Sequence, residues 1–269
     1  MTFSSVSISA RVNGERLALS GWCRAILLQV AQPLVAAGVA AHSPFRGSAL
    51  APVHRLRSTV RAMLAISFGT PEAQDRALEG IRTIHRRVHG HLGQPVGPYA
   101  AGTPYSAEDP ALLLWVHATL LESVVLAVER LVVPLTPLEK DAYCAESAWT
   151  AVALGAQDAD VPRTWSALTA YMRGEYASGR IAVGDEAKAL ADAVLGPPMG
   201  RLAWPALWVN RTLTIGLLPP DIRRQYGYRW TAGDARRLEH VIGALRLSRS
   251  VLPRAIALWP EARRAPPSR

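Results

Sequence analysis

The sequence DPALLLWVHATLLESVVLAVERLVV, residues 109–133, is a long and mostly apolar stretch that decides the class of fold. Asp109 suits the N-cap of a helix and Pro110 its first turn, where the N–H that proline lacks would have no helical partner. His117 and Glu122 interrupt the run, and such polar groups are costly in lipid. We therefore predict a core helix of a globular protein and no stable membrane insertion.

Helical patterns continue on both sides of this stretch. Residues 25–41, AILLQVAQPLVAAGVAA, are also apolar, and Pro33 should kink or break their helix. Apolar residues recur at helical spacing elsewhere, without a convincing pair of alternating strands or an internal repeat. The predicted helices lie at about 53–68, 71–89, 137–149, 162–173, 184–194, 202–214 and 232–259. This pattern predicts an all-α fold with a single helical domain at 21–260, an N-terminal arm at 1–20 and a frayed tail at 261–269.

Two connections are rich in glycine and proline. Residues 42–52, HSPFRGSALAP, are predicted to form a loop after the first apolar helix. Residues 90–109, GHLGQPVGPYAAGTPYSAED, form the longest polar connection of the chain. Long connections without secondary structure often have a function, so we predict a mobile segment over a pocket.

The charge balance is strongly basic, with a formal net charge of +9, but only Lys140 and Lys188 are lysines. The arginines are spread along the whole chain, whereas a nucleic-acid site gathers cations in one patch. We interpret the charge mainly as coding bias, then as anionic-ligand binding, and we expect no nucleic-acid partner. Cys23 and Cys144 form no paired motif. Because the N-terminus also lacks a signal-peptide pattern, we expect a cytoplasmic protein.

Three histidines lie close together in IHRRVHGH, residues 84–91. On a helical wheel His85 falls within an apolar stripe, His89 lies at its edge, and His91 follows the terminal glycine; the stripe consists of Ala77, Leu78, Ile81, Ile84 and Val88. His85 and His89 have metal-ligand spacing, but a zinc-protease motif needs glutamate where Arg86 stands. This segment alone favours a core histidine over a metal ligand.

Arg55 and Thr59 lie one helical turn apart on an otherwise apolar face of the predicted helix at 53–68. A buried arginine needs an anionic partner. That partner is either a protein carboxylate, such as Glu122 or Glu129, or a bound anion such as a haem propionate or a substrate acid. The motif alone favours the protein carboxylate.

His117 is enclosed by leucines and valines on its own predicted helix, which is typical of a hydrogen-bonded core histidine. The sequence contains no GxSxG motif, P-loop, dinucleotide fingerprint or paired-cysteine redox motif. The common hydrolase, nucleotide-binding and nicotinamide classes therefore have no support.

Five ordered motifs resemble the rubber oxygenases (latex clearing protein) and the MpaB-type oxygenases over roughly residues 27–230. These motifs are RLRSTVRAMLAISFGTPEAQ, IHRRVHG, DPALLLWVHATLLES, VERLVVPLTPLE and LLPPDIRRQYGYRW. The resemblance implies an all-helical catalytic domain with a buried haem b pocket between core helices. It also implies O2 as co-substrate and, in rubber oxygenases, cleavage of isoprenoid carbon–carbon double bonds.

The resemblance assigns residue roles motif by motif. It implies that His85 binds the haem iron, that Arg55 and Thr59 are the catalytic pair beside the haem, and that His117 supports the cofactor site. The chain departs from the family at Ser58, where a lysine able to reach the iron can occur, and at Gln32, where many relatives have histidine. No match to the acidic catalytic base is found, so polymer cleavage is not carried over.

The sequence therefore predicts a haem b-dependent oxygenase or oxidoreductase acting with O2 on an apolar or aromatic small molecule. The first alternative is a haem- or ligand-binding helical protein without turnover. The second alternative is a basic regulatory or DNA-associated helical protein, which only the positive charge favours.

Overall fold

The computed structural model describes residues 7–42, 51–197 and 200–264, and at 51–56 and 201 it describes the backbone alone. The described ranges form an almost entirely helical structure, which confirms the all-α prediction. Their α-helices are α1 Ile8–Gly14, α2 Trp22–Val30, α3 Pro33–His42, α4 Ala51–Phe68, α5 Pro71–His85, α6 Pro110–Leu131, α7 Pro137–Leu154, α8 Trp165–Ala177, α9 Asp185–Leu195, α10 Trp204–Leu217, α11 Pro220–Gln225, α12 Ala232–Val251, α13 Arg254–Ala257 and α14 Pro260–Arg264. Short 3₁₀ turns lie at Arg16–Gly21, Asp158–Asp160 and Arg201–Ala203.

Helix α6 lies at the centre of the fold, as its apolar sequence predicts. It packs against α2, α7, α8, α12 and the 3₁₀ turn at Arg16–Gly21. The turn approaches so closely that a Cβ at Gly21 would lie 2.3 Å from the carbonyl oxygen of Ser123. Glycine is required there because any side chain would meet backbone rather than a flexible neighbour.

Among the described helices, α6 by itself is long and apolar enough to cross a membrane. Of the most apolar 18-residue window of this helix, 67% is buried within the protein, which is typical of a core helix. The segments Arg16–Val30 and Pro33–His42 pass the same test only when counted together, and they bend by 106° at their break.

The break predicted at Pro33 is confirmed, and the side chain of Gln32 stabilises it. Oε1 of Gln32 accepts hydrogen bonds from the backbone N–H groups of Leu34 at 2.6 Å and Val35 at 3.0 Å. These are among the first N–H groups of α3, which have no partner within the helix itself. Nε2 of Gln32 donates to the hydroxyl of Tyr99 at 2.8 Å. Gln32 therefore caps α3 and ties it to the connection that precedes α6.

The segment after His85 differs from the prediction. Helix α5 ends at His85 rather than near His89, and strands β1 His89–His91 and β2 Pro104–Ser106 form an antiparallel pair. The pair closes part of the connection that we expected to be a mobile loop. Gly90 makes this possible because a Cβ there would lie 2.7 Å from the hydroxyl of Tyr105. The strands are too short for an alternating pattern to be visible in the sequence.

The two ends of the described chain pack against each other and against α4. Helix α1 packs against α7 and α4, and α14 packs against α1 and α4. Glu15 and Arg249 form an ion pair at 2.6 Å next to the isolated bridge between Glu15 and Leu258. The helix predicted over 232–259 ends at Val251, because Pro253 cannot continue a helix. The predicted boundaries at residues 20 and 260 stay a prediction.

Candidate functional site

Helix α5 carries the histidine that the sequence singled out. Thr70 caps its first turn by accepting a hydrogen bond from the N–H of Ala73, and Pro71 follows as the first helical residue. Near its other end, Nε of Arg82 donates to the carbonyl oxygen of Ala153 at 2.8 Å. This contact fixes the last turns of α5 against the end of α7.

Arg86, which follows His85, forms an ion pair on the protein surface. Its Nη2 lies 2.8 Å from Oε1 of Glu79. The hydrogen bond from Arg86 holds the pKa of the Glu79 carboxyl below its usual value, although burial opposes this. Arg86 thus points to solvent and pairs along its own helix, leaving the inner side of this turn to His85.

His85 is the last residue of α5, and it is only partly exposed. Its Nδ1 is buried and has no hydrogen-bond partner among the described residues. Burial lowers the pKa of the imidazole, and the nearby charge of Glu108 raises it by less. His85 therefore presents a neutral imidazole, the form in which histidine binds a metal.

The chain after His85 packs against α3. The N–H of Val88 donates to the carbonyl oxygen of His85 at 2.9 Å, which closes a turn. A Cβ at Gly38 of α3 would lie 3.2 Å from Cγ1 of Val88 and 3.6 Å from the ring of Tyr105. The turn that carries His85 is therefore held between α3 and the β1–β2 pair.

The other two histidines of the cluster are separate from His85. His89 and His91 are exposed on β1, so the four-residue spacing of His85 and His89 does not lie on a helix. Across residues 7–42, 51–197 and 200–264, no three His, Cys, Asp or Glu side chains form a group suited to a metal ion. Ile84 is 62% exposed, so the predicted apolar stripe is wrong at that position.

His117 is buried on α6, and its Nε2 has no hydrogen-bond partner in the described part of the chain. Burial lowers the pKa of His117 to about 4, so the ring is neutral near pH 7. The sequence suggested a hydrogen-bonded core histidine, whereas this buried nitrogen of His117 has no hydrogen-bond partner among the described residues. A buried polar nitrogen without a partner is uncommon and requires an explanation.

Both candidate histidines belong to elements that pack against α7. Leu113 and Leu114, four and three residues before His117, pack in one cluster with Ala148 and Ala151 of α7. Residues at that spacing share a helix face, so His117 projects from the side of α6 that meets α7. His85 lies three residues after Arg82, whose guanidinium donates to the carbonyl oxygen of Ala153 at the end of α7.

The predicted pair on α4 is only partly described. Positions 55 and 59 both lie within α4, one turn apart, but the side chain of Arg55 is outside the described part of the structure. Thr59 and the neighbouring Ser58 are exposed. The carboxylates considered as protein partners for Arg55 have other cations: Glu122 pairs with Arg24, and Glu129 pairs with Lys140 at 3.2 Å.

The sequence reasoning missed the buried cation Arg24. Its guanidinium forms an ion pair with Glu122 and donates to the hydroxyl of Ser123 at 2.6 Å and the carbonyl oxygen of Leu217 at 2.7 Å. Arg24 therefore joins α2, α6 and the end of α10. The available signal was an arginine directly before the mostly apolar residues 25–31, where a charge requires a partner.

These residues fit a haem better than a bare metal ion. Haem iron needs one imidazole from the protein because the macrocycle supplies the other ligands, and His85 offers a neutral ring with an unpartnered nitrogen. A bare cation would have to be held by fewer than three His, Cys, Asp or Glu side chains of the described ranges. The donor set is therefore compatible with haem b.

The sequence as a whole matches one protein family. Residues 10–247 match the family described as ER-bound oxygenase mpaB/B'/Rubber oxygenase, catalytic domain. The chain belongs to this family, and the match includes α2 to α11 and most of α12. It is therefore an oxygenase-family catalytic domain, a class that uses a small-molecule substrate and O2.

Two relatives have similar length. An uncharacterized protein of Mycobacterium bovis and an uncharacterized protein of Mycobacterium tuberculosis are each 27% identical to the chain over 234 residues. The aligned region covers 85% of this chain and 87% of each relative. No solved structure matches the chain.

Proposed function

We propose that this protein is a haem b-dependent oxygenase that acts with O2 on an apolar or aromatic small molecule. The observation that carries the proposal is the place of His85, a partly buried and neutral imidazole with no protein partner at Nδ1, as the histidine of the motif IHRRVHG. When bound, haem b supplies an iron centre that can use O2 as the oxidant.

In this proposal the protein residues have separate tasks. His85 would hold the iron through its neutral imidazole, from a turn that the backbone hydrogen bond of Val88 closes and that follows the contact of Arg82 with α7. We assign Arg55 to pairing with a haem propionate, because a guanidinium binds a carboxylate with two hydrogen bonds. Thr59, one turn along α4, is assigned to the edge of the substrate pocket. His117 supports the site as a neutral group.

Family membership supports oxygenase chemistry, and the substrate is part of the proposal. Ser58 stands where a lysine can occur in rubber oxygenases, and the acidic base of the polymer-cleaving members has no assigned match. We therefore propose a small substrate rather than polyisoprene. Cleavage of an isoprenoid-like double bond into carbonyl products is one reaction that fits this proposal, and oxygenation of an aromatic substrate is another.

Oxygen uptake tests this function. The purified, haem-loaded protein is given a reductant and then a panel of small isoprenoids and aromatics in an oxygen electrode, with products analysed for carbonyl or hydroxyl groups. We expect substrate-dependent uptake by the wild type and by His89→Ala, which changes an exposed histidine. His85→Ala should lose it.

The same experiment distinguishes an oxygenase from the alternative, a haem protein without turnover. Bound haem with no substrate-dependent oxygen uptake across the panel would favour a binding protein. Oxygen uptake that is equal in the wild type and in His85→Ala would contradict the role of His85.

A further inference from the structure

A cleft lies outside the elements that carry His85 and His117. It is formed by residues 220–231, from the start of α11 to the N-cap of α12, and has a volume of about 570 Å³. Pro219 and Pro220 begin α11, and Gly227 ends this turn of chain with a left-handed φ of 79°. The volume lies within the range of about 300–1,000 Å³ that is usual for small-molecule sites. The motif LLPPDIRRQYGYRW, which has no role in the proposed oxygenase site, supplies this cleft.

Arg223 is the buried cation of the cleft. The residue is 8% exposed, and its Nη1 is buried without a hydrogen-bond partner among the described residues. Its guanidinium lies 4.4 Å from the centroid of the Trp230 ring. The indole face attracts the cation but does not accept the hydrogen bonds of a guanidinium. A buried guanidinium without hydrogen-bond acceptors destabilises the protein unless an anion pairs with it.

Within the described ranges, no carboxylate pairs with Arg223. Asp221 pairs with Arg224 on the exposed rim, and the Asp234 carboxylate accepts hydrogen bonds from Thr231 and pairs with Arg237 at the start of α12. Arg229 is exposed at the rim and forms no ion pair with any described residue. The cleft therefore carries excess positive charge, concentrated at a buried guanidinium.

The aromatic rings of the cleft already contact other side chains of the protein. Tyr228 stacks on Tyr226 at 5.8 Å, and Arg211 lies 5.6 Å from the Tyr228 ring. Arg223 covers the face of Trp230. The available interaction is therefore hydrogen bonding to the Arg223 guanidinium rather than stacking on a ring.

We propose that this cleft binds the phosphate group of a small phosphorylated molecule, with Arg223 as the buried anchor. The guanidinium fork matches phosphate oxygens, and a dianion offsets more of the positive charge of Arg223 and Arg229 than a carboxylate does. The cleft is larger than a phosphate group, so the remaining space accommodates the organic part of the ligand. Burial also lowers the pKa of Arg223, the direction expected for a cation with no anion beside it.

Calorimetric titration of the full chain tests the proposal with three probes: inorganic phosphate, phenyl phosphate, and phosphatidic acid in phosphatidylcholine vesicles. We expect saturable binding of phenyl phosphate with a Kd below about 1 mM, and weaker binding of inorganic phosphate. Vesicle binding that phenyl phosphate does not match, and that depends on Arg223, would assign the phosphate to a lipid headgroup. Absence of binding to all three probes would overturn the proposal.

Arg223→Met is the decisive variant, and Arg173→Met is its matched control. Arg173 is exposed on α8 and donates to the carbonyl oxygen of Thr169 on its own helix. Arg223→Met should weaken phenyl phosphate binding by about tenfold or more, because a hydrogen bond to a charged group is lost. Arg173→Met should leave it unchanged. Equal affinity of Arg223→Met and wild type would contradict the site.

Thermal unfolding provides a second readout. Arg223→Met without phosphate should unfold at or above the wild-type temperature, because the variant removes a buried cation that has no anion. Phenyl phosphate should raise the unfolding temperature of the wild type and not that of the variant. If Arg223→Met does not fold, Arg229→Met at the rim takes its place, with binding expected to weaken about threefold. Unchanged binding by Arg229→Met would then overturn the proposal.

Discussion

His85 and His117 each bury a ring nitrogen that has no hydrogen-bond partner among the described residues, Nδ1 in His85 and Nε2 in His117. Burial lowers the pKa of both rings, so both are neutral near pH 7. They lie on α5 and α6, which both pack against α7. Burying two imidazole nitrogens without hydrogen bonds destabilises the folded state. We propose that a bound cofactor explains why both histidines are present.

The first prediction concerns the acid stability of the protein. The pKa of His117 is about 4 in the folded state and near 6.5 in the unfolded chain. Between these values the unfolded chain binds more protons, so stability falls as the pH is lowered from about 6.5 to about 4. The contribution of His117 to this loss is about 3 kcal/mol.

His117→Gln removes this titration. Urea unfolding at pH 7 and pH 4 should show a smaller loss of unfolding free energy for His117→Gln than for the wild type. His240→Gln, an exposed histidine on α12, is the control and should keep the full wild-type dependence. The same acid dependence in all three proteins would show that His117 does not titrate in this range.

A second prediction concerns the ion pair between Arg24 and Glu122. The Arg24 side chain is 3% exposed, so Glu122→Gln leaves a buried cation with weaker partners. We expect a loss of about 3 kcal/mol of unfolding free energy. Asp158→Asn breaks the exposed pair with Arg163 and should cost less than about 1 kcal/mol. Chemical denaturation of the two variants measures both values, and equal small losses would contradict the structural role of Arg24.

Two glycines give opposite expectations for the same substitution. A Cβ at Gly21 would lie 2.3 Å from the carbonyl oxygen of Ser123, so Gly21→Ala should destabilise the fold by about 2 kcal/mol or more. At Gly80, within α5, no atom of the described residues outside the helix lies within 4 Å of the added Cβ. Gly80→Ala should therefore stabilise the protein by about 0.5–1 kcal/mol. Thermal unfolding distinguishes them, and two changes of the same sign would contradict the close approach at Gly21.

Local sequence rules predicted the helical framework well. The helix starts at Thr70 and Asp109 are confirmed, as is the capping box between Thr136 and Glu139 at the start of α7. The interruption at Pro33 is confirmed too. These features depend on hydrogen bonds within a few residues, so the sequence pattern contains the information needed.

Features that depend on distant residues were not predictable in this way. The strand pair that follows the end of α5 places Gly90 against Tyr105 of the opposite strand. The partners of Arg24 come from α6 and the end of α10, about 100 and 190 residues later. The predicted roles of Arg55 and Thr59 remain predictions, because the family resemblance alone assigns them.

Haem binding through His85 is the central claim, and an absorption spectrum of the purified chain supplied with haemin tests it most directly. We expect a Soret band for the wild type and for His89→Ala, whose substituted residue is exposed on β1. His85→Ala should lose or shift this band, because it removes the imidazole that we propose as the iron ligand. A wild type that binds no haemin, or an unchanged Soret band in His85→Ala, would contradict the account.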